Sequence, residues 1–350
     1  MASAAQRRIK SISYAKYGYL FILPFFLVYF FFQLWPLINT FILSFQDNKD
    51  SHFVGLDNYK TILFAVGNRT AKNVSKNFFM SFRNTVILWV GNFIPQLILS
   101  LTLAVWFTEA NTKIPGKGFF KVVMYLPNII TAASVAVLFL QLCGEAENGP
   151  GAINLLLNKF GVVSKDAVSE KYDTIKFITG LWQSRGVVMF IQTWMWFGNT
   201  MIMLMSGIQG INPSLFEAAS IDGATGMQTF WKITLPLLSP ILAYTLVTSM
   251  IGGLQMFDIP YLYHKDPNKV SDNLKTVAVY IYEYFHDQVD PKMGYAGAAS
   301  VILFFITLFL GCIAFYVTRD KDEIAKKKQR KNQAKLNKAA QSSSLGGFSI

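Results

Sequence analysis

Two helical rows of polar, small and aromatic residues are the part of this sequence best suited to binding a ligand. One row places Gln192, Trp196 and Asn199 at i, i+4 and i+7, on one face of a helix. The second row has a similar spacing and consists of Ser249, Gly252, Gly253 and Met256, with Gln255 beside it. Amide and hydroxyl groups hydrogen-bond the hydroxyls of a solute, while indole rings offer flat faces for stacking. We therefore predict that these residues line a solute path.

Ordinary helix packing offers a competing explanation for the same rows. Tryptophan is common where membrane helices meet the lipid headgroups, and small residues allow two helices to approach closely. Against this, polar side chains that face the interior of a membrane bundle are costly unless they are used. Both interpretations, a lined path and a packing surface, stay open on the sequence alone.

No pattern of catalytic or metal-binding residues accompanies these rows. The three histidines, His52, His264 and His286, are not spaced to share a metal with another His or Cys. Residues 116–118, Gly-Lys-Gly, lack both the glycine spacing and the hydroxyl of a phosphate-binding loop. Serine, histidine and aspartate form no nucleophile-elbow pattern. We therefore predict no enzymatic activity, no metal site and no cofactor bound by this chain.

The elements that carry the two rows are predicted to be membrane-spanning helices. Of 350 residues, 52% are hydrophobic and only 15% are charged, which is unusual for a soluble domain. Asp, Glu, Lys and Arg are absent from six windows, each long enough to cross a membrane as a helix. These windows are residues 17–46, 84–108, 122–144, 186–216, 233–257 and 293–318. The predicted fold class is an all-α membrane protein with about six transmembrane helices.

The distribution of charge predicts that both termini are cytoplasmic. With six helices, one side of the membrane receives 17 Lys and Arg against 6 acidic residues, in segments 1–16, 109–121, 217–232 and 319–350. The segments on the other side are longer in total and carry 15 Lys and Arg against 14 acidic residues. The positive-inside rule therefore assigns the first side to the cytoplasm.

Three regions follow from this topology. They are an N-terminal cytoplasmic tail (1–16), a transmembrane domain (17–318) and a basic, partly disordered cytoplasmic tail (319–350). The basic run at 326–331 is expected to contact anionic lipid rather than nucleic acid.

The segment EAASIDGATGMQTFWKITLPLLSP, residues 217–240, combines many fixed residue types at fixed spacing. Its pattern is E-A-A, D-G-A, an aromatic residue and I-x-L-P. The matching residues are Glu217, Ala218, Ala219, Asp222, Gly223, Ala224, Phe230, Ile233, Leu235 and Pro236. It resembles the cytoplasmic loop by which the membrane subunits of bacterial ABC importers contact their ATPase. The resemblance implies that residues 212–236 form an EAA-type coupling loop.

Local signals also predict the structure of this loop. Ser214 with Glu217 three residues later predicts a capping box for a helix over 214–222. Gly223 and Gly226 are expected to adopt the conformations that let the chain leave this helix. A second helix around 227–235 is expected to end before Pro236, because proline disfavours helix at the preceding residue.

The resemblance extends over residues 18–318 and is to the sugar-type branch, which includes the larger maltose permease subunit and the multiple-sugar permeases. It is carried by FVGLDNYKTIL at 53–63, KGFFKVVMYLPNII at 117–130 and GPGAINLLLNKFG at 149–161. The last segment is expected to form a helix along the outer membrane surface. The sequence departs from that branch at 263–267, Tyr-His-Lys-Asp-Pro, where many members have a T-x-G-G-P run.

This resemblance implies one subunit of an ATP-driven importer for a sugar or oligosaccharide in the bacterial cytoplasmic membrane. The implied partners are a second homologous permease subunit, an ABC ATPase dimer that binds the ATP, an extracytoplasmic solute-binding protein, a carbohydrate substrate and membrane lipid. One alternative is an ABC permease for a non-sugar solute such as a glycerophosphodiester or polyamine. A second is an ion-coupled transporter or a membrane scaffold, which the absence of Asp and Glu from the six windows disfavours.

Overall fold

The computed structural model describes residues 15–48, 52–109, 115–146, 150–162, 174–264, 270–287, 290–317, 329–330 and 332–333. Apart from one isolated bridge between Gln46 and Phe53, the regular structure in these ranges is helical, which confirms the predicted all-α class. The predicted tails, 1–16 and 319–350, lie outside the described residues except at 15–16, 329–330 and 332–333. The chain divides into two compact units, Met1–Thr85 with Leu274–Phe305, and Val86–Asn273 with Ile306–Ile350.

The α-helices are numbered in chain order. They are α1 (Ala15–Tyr29), α2 (Trp35–Ser44), α3 (Asp57–Phe64), α4 (Arg69–Thr108), α5 (Lys117–Tyr125), α6 (Ala132–Leu142), α7 (Ala152–Lys159), α8 (Leu181–Gln209), α9 (Pro213–Ile221), α10 (Gly226–Thr229), α11 (Leu235–Leu254), α12 (Asp258–Leu262), α13 (Val277–Phe285) and α14 (Met293–Val317).

Five helical stretches in the described ranges are long and apolar enough to cross a membrane. They are Tyr17–Ser44, Arg69–Thr108, Leu181–Gln209, Gly226–Leu262 and Met293–Ala314. A sixth span results if α5, its 3-10 extension to Ile129 and α6 are counted together, although this pair is bent by 92°. The predicted number of about six transmembrane helices is therefore confirmed.

The sharp bend shows that the prediction of one continuous helix through window 122–144 was wrong. Pro127 lies in a 3-10 turn, Leu126–Ile129, and Ile130 and Thr131 then adopt extended backbone conformations. The Thr131 side chain accepts a hydrogen bond from the backbone N–H of Ser134 at 3.4 Å. This is an N-cap, so the chain begins a new helix there instead of continuing the first.

Helix α4 begins well before the charge-free window that predicted it. The window starts at residue 84, whereas the helix starts at Arg69 and includes Lys72, Lys76 and Arg83. The absence of charge therefore identified only the apolar part of this helix.

Two π-helical turns, Phe30–Leu34 and Phe230–Thr234, interrupt otherwise continuous stretches. Each is closed by a hydrogen bond from the next backbone N–H to the first carbonyl, Trp35 to Phe30 and Leu235 to Phe230. A proline, Pro36 or Pro236, follows at the second position after each turn. Proline lacks an N–H and clashes with the carbonyl four residues earlier, which a wider turn accommodates. The predicted helix end before Pro236 was therefore wrong, because α10 continues through the π turn into α11.

The core of the second unit contains apolar side chains from α4, α8 and α11. Its buried members are Leu103, Ala104, Phe107, Phe197, Met201, Leu204, Met205, Ile208 and Leu238. Two glycines of α8 allow neighbouring helices to pack closely at the edges of this core. A Cβ at Gly198 would lie 2.2 Å from the Met124 carbonyl oxygen, and one at Gly207 would lie 2.3 Å from Ile241 Cδ1. Small residues at these positions therefore hold α8 tightly against α5 and α11.

Helix α7 confirms the predicted helix within the segment at 149–161. It is anchored by the buried side chain of Asn154, whose Nδ2 donates to the carbonyls of Gly144 at 3.0 Å and Ile175 at 3.2 Å. Its Oδ1 accepts from the Ile175 N–H at 2.9 Å. One amide thus satisfies three backbone groups that lie outside regular structure.

Candidate functional site

A cavity of about 600 Å³ lies in the second unit, lined chiefly by α4, α8 and α11. It brings together all the residues that the two helical rows predicted. They are Gln192, Trp196 and Asn199 from α8 and Ser249, Gly252, Gly253, Gln255 and Met256 from the end of α11 and just beyond it. The two rows therefore face one common space.

Helix α4 supplies a third row that the sequence reasoning missed. Trp89, Asn92 and Gln96 line the cavity and are spaced at i, i+3 and i+7. This spacing is the signal that would have identified them, because it places the three side chains on one helical face. Thr200 on α8 and Tyr244, Thr245 and Thr248 on α11 also line the cavity and extend the predicted rows.

Hydrogen bonds from one side chain to another join the lining helices. Trp89 Nε1 on α4 donates to Ser249 Oγ on α11 at 3.1 Å. Gln96 Nε2 on α4 donates to Thr200 Oγ1 on α8 at 2.8 Å. Helix α4 is therefore bonded to both other walls of the cavity.

The two adjacent glycines of α11 have different surroundings. A Cβ at Gly253 would lie 2.1 Å from Trp89 Cδ1 and 2.9 Å from Trp89 Cβ, so only glycine permits this contact between α11 and α4. A Cβ at Gly252 would meet nothing within 4 Å. Gly253 thus allows the close approach of α11 to Trp89, while Gly252 faces open space.

The cavity combines exposed aromatic rings with polar groups. Trp196 and Tyr244 are 48% and 60% exposed, so their rings are accessible for stacking. Asn199 and Thr248 are exposed beside them and offer hydrogen-bonding groups. Such a lining suits a solute with both flat apolar faces and hydroxyl groups.

The loop that follows α8 begins with a different cap from the one predicted. Asn212 is the N-cap of α9, and its side-chain oxygen accepts a hydrogen bond from the Ser214 N–H at 3.1 Å. The predicted capping box of Ser214 and Glu217 was wrong, because Pro213 occupies the first turn and the helix begins one residue earlier. A capping box does occur in the loop, formed by Thr225 and Gln228 at the start of α10.

Helix α9 ends in a Schellman motif centred on Gly223. The Ala224 N–H donates to the Ala219 carbonyl at 2.9 Å, and the Gly223 N–H donates to the Ser220 carbonyl at 3.1 Å. Gly223 has φ +72°, the left-handed conformation predicted for it. Gly226 instead begins α10, so its predicted role in leaving α9 was wrong. Part of the D-G-A pattern therefore has a structural role as a helix stop.

The predicted coupling residues divide into exposed and enclosed groups. Glu217, Ala218, Asp222 and Gly223 are exposed, whereas Ala219 is buried and Ala224 is half-buried. Ala219 therefore does not contribute to an exposed docking surface.

Large apolar side chains complete the exposed surface of this loop. Ile221 is 86% exposed and Met227 is 68% exposed, and Trp231 also lies at the surface. Exposed apolar groups beside two acidic side chains are typical of a protein-contact surface. The loop is connected directly to both rows of the cavity, since it follows α8 and its second helix continues into α11.

A comparison with known families identifies the chain. Residues 19–321 match the model described as "Binding-protein-dependent transport system inner membrane component". This chain belongs to that family. The permease is therefore a multi-pass, membrane-spanning transport subunit.

Individual relatives agree with this assignment. The permease is 28% identical to the arabinooligosaccharides transport system permease protein AraP of Bacillus subtilis, over 89% of this chain and 92% of AraP. It is 26% identical to the lactose transport system permease protein LacF of Rhizobium radiobacter, over 92% of this chain and all of LacF. Its fold matches a crystal structure of a bacterial ABC transporter involved in import of alginate, an acidic polysaccharide. That match has a TM-score of 0.73 and 23% identity over 89% of this chain and 98% of the other.

Proposed function

We propose that the permease forms half of the path by which an ATP-driven ABC importer carries a sugar or oligosaccharide across the bacterial cytoplasmic membrane. The observation that carries this proposal is the cavity, which unites aromatic faces and hydrogen-bonding groups from three helices. Two relatives are named for arabinooligosaccharide and lactose transport, which supports a carbohydrate as the substrate. The alternative of a non-sugar solute such as a glycerophosphodiester or polyamine has support from one relative, the sn-glycerol-3-phosphate transport system permease protein UgpA of Agrobacterium fabrum, which is 27% identical over 85% of this chain.

The same proposal assigns the loop at 212–236 to the ATPase partner, on the cytoplasmic side. Glu217, in the middle of α9, and Asp222, at its C-terminal end, are both exposed, where they are available to basic or amide groups of a partner. Closure of an ATPase dimer on ATP would move α9 and α10. Because α10 is continuous with α11, such a movement is transmitted as a rigid-body displacement of a cavity wall.

The remaining partners follow from the family. A second, related permease subunit supplies the other half of the path, and an extracytoplasmic solute-binding protein delivers the substrate. This chain has no phosphate-binding loop of its own, so ATP binds to the ATPase subunits. Both termini are proposed to be cytoplasmic, with lipid around the transmembrane domain.

Removing the exposed cavity groups tests the assignment of the path. Trp196→Ala and Asn199→Ala are each expected to weaken substrate binding at the membrane site by roughly five- to thirtyfold, because each loses a contact worth about 1–2 kcal/mol. The measurement is uptake into vesicles containing the complete transporter, with the binding protein saturated so that its own affinity does not limit the rate.

Matched controls for this test come from the same helix. A control must be a residue of α8 that does not line the cavity, which rules out Met195. Phe190→Ala and Ile202→Ala remove exposed side chains of α8 that do not line the cavity. Equal losses in the controls and in the cavity variants would contradict the proposed path and would indicate a packing effect.

A further inference from the structure

One lining residue of the cavity carries a charge. The described lining contains Asp258 but no Lys, Arg, Glu or His. Asp258 lies directly after the charge-free window 233–257, where the chain leaves α11 and begins α12. Its side chain is exposed, and within the described ranges it makes no ion pair or hydrogen bond. The cavity therefore has a carboxylate that no described cation neutralises.

The surrounding residues fix the position of this carboxylate. Ile259, the next residue in α12, is buried, with 1% of its surface exposed. On the other side of Asp258, the Phe257 ring stacks on Tyr261 with 4.8 Å between ring centroids. The Tyr261 N–H also donates to the Phe257 carbonyl at 2.9 Å. Asp258 is thus held at the cavity by a packed turn and is not carried on a free loop.

An unneutralised charge has a large effect in such a setting. A cleft with low-dielectric walls and charge of one sign focuses the electric field, which attracts ions of opposite sign and repels like ions. The interaction between two unit charges a few ångströms apart is severalfold stronger near a protein surface than in bulk water. Neutral solutes do not experience this attraction or repulsion between charges.

We propose that Asp258 is a specificity-determining residue that excludes anionic carbohydrates from this path and admits neutral and cationic ones. This inference rests on the proposed carbohydrate function and specifies which charge the accepted carbohydrates carry. Carbohydrates with carboxylate, sulfate or phosphate groups are disfavoured by repulsion from Asp258. Neutral oligosaccharides and amino sugars are accepted, the latter with an added attraction.

The test compares ligands that have the same shape and different charge. The neutral parent is whichever of lactose, arabinotriose and maltotriose binds most tightly to the purified, complete transporter in nanodiscs without binding protein. One derivative has a primary hydroxymethyl group oxidised to a carboxylate, and the other has the corresponding carboxamide. Binding is measured by isothermal titration calorimetry for the original protein and for Asp258→Asn, Asp258→Glu and Thr248→Ala.

The original protein is expected to bind the carboxamide at least about fivefold more tightly than the carboxylate. Asp258→Asn should reduce the ratio of carboxamide affinity to carboxylate affinity to less than about twofold, mainly by tightening carboxylate binding. Asp258→Glu should preserve this ratio. Thr248→Ala should weaken both ligands alike, because it removes a hydroxyl and no charge. High salt should lower the ratio in the original protein.

Two results would overturn the inference in distinguishable ways. If Asp258→Asn leaves the ratio unchanged while the neutral parent binds, Asp258 does not select by charge and the carbohydrate path survives. If none of the three neutral oligosaccharides binds to the transporter, the proposed carbohydrate function fails and this inference fails with it.

Discussion

Replacing Gly253 by alanine is expected to reduce substrate transport by about tenfold or more, through overpacking of the cavity wall. The added Cβ would lie 2.1 Å from Trp89 Cδ1 and 2.4 Å from Trp89 Cγ. Rotation of the indole ring does not relieve the contact fully, because Trp89 Cβ is also only 2.9 Å away. Helices α4 and α11 must therefore separate, which breaks the hydrogen bond between Trp89 and Ser249.

The neighbouring glycine provides the matched comparison for this prediction. Gly252→Ala adds the same methyl group at a point where nothing lies within 4 Å, and we expect transport to change by less than about threefold. Uptake into vesicles and the thermal unfolding temperature of the purified complex are measured for both variants. In a Trp89→Leu background, Gly253→Ala should reduce transport by a smaller factor than it does in the original protein, because the side chains at positions 89 and 253 compete for one space. Equal activity of the two glycine variants would contradict this account of the cavity wall.

Reversing the charge of Glu217 is expected to disrupt assembly with the ATPase while leaving the fold intact. The Glu217 side chain is exposed, and α9 is capped by Asn212 instead, so Glu217→Lys removes no described internal hydrogen bond. In a partner interface, however, loss of one member of a charge pair costs about 2–5 kcal/mol, or roughly thirtyfold and upwards in affinity. The lysine would also bring a like charge to any basic group that Glu217 meets.

The measurement is co-purification of the ATPase with the tagged permease, together with ATP hydrolysis stimulated by substrate-loaded binding protein. Asp57→Lys is the control, because it also reverses an exposed carboxylate, this one on α3, and the exposed ion pair of Asp57 with Lys60 contributes little stability. Normal co-purification and normal stimulated hydrolysis in Glu217→Lys would rule out the proposed docking role of this residue.

The sequence predicted the cavity rows of α8 and α11 because their polar residues stand out in otherwise apolar helices. The row on α4 was missed because its polar residues do not stand out in this way. That helix also buries Asn84, Thr85 and Ser100, so Trp89, Asn92 and Gln96 have little contrast with their neighbours. Only the contacts with other helices distinguish the residues that line the cavity from those that bond elsewhere.

The interruptions of the helices were harder to predict, because they depend on local hydrogen-bond geometry. Pro36 and Pro236 are each preceded by a π turn, which keeps the helix continuous, whereas Pro127 lies in a 3-10 turn before a bend of 92°. A proline alone does not determine which outcome occurs. At the bend, Thr131 provides an N-cap for a new helix. The start of this new helix competes with continuation of the first one, which is why the chain bends at Pro127 and stays helical at Pro36 and Pro236. The same kind of competition placed the cap of α9 at Asn212 and not at Ser214.

We propose that this permease belongs to a carbohydrate path that is driven by ATP. It is tested most directly by uptake of a radiolabelled oligosaccharide into vesicles that contain the complete transporter, with binding protein outside, ATP inside and all ion gradients collapsed by ionophores. We predict that uptake proceeds under these conditions, stops when ATP is replaced by a non-hydrolysable analogue, and falls with Trp196→Ala. Uptake that is lost with the ion gradients, or that proceeds without ATP hydrolysis, would contradict the account.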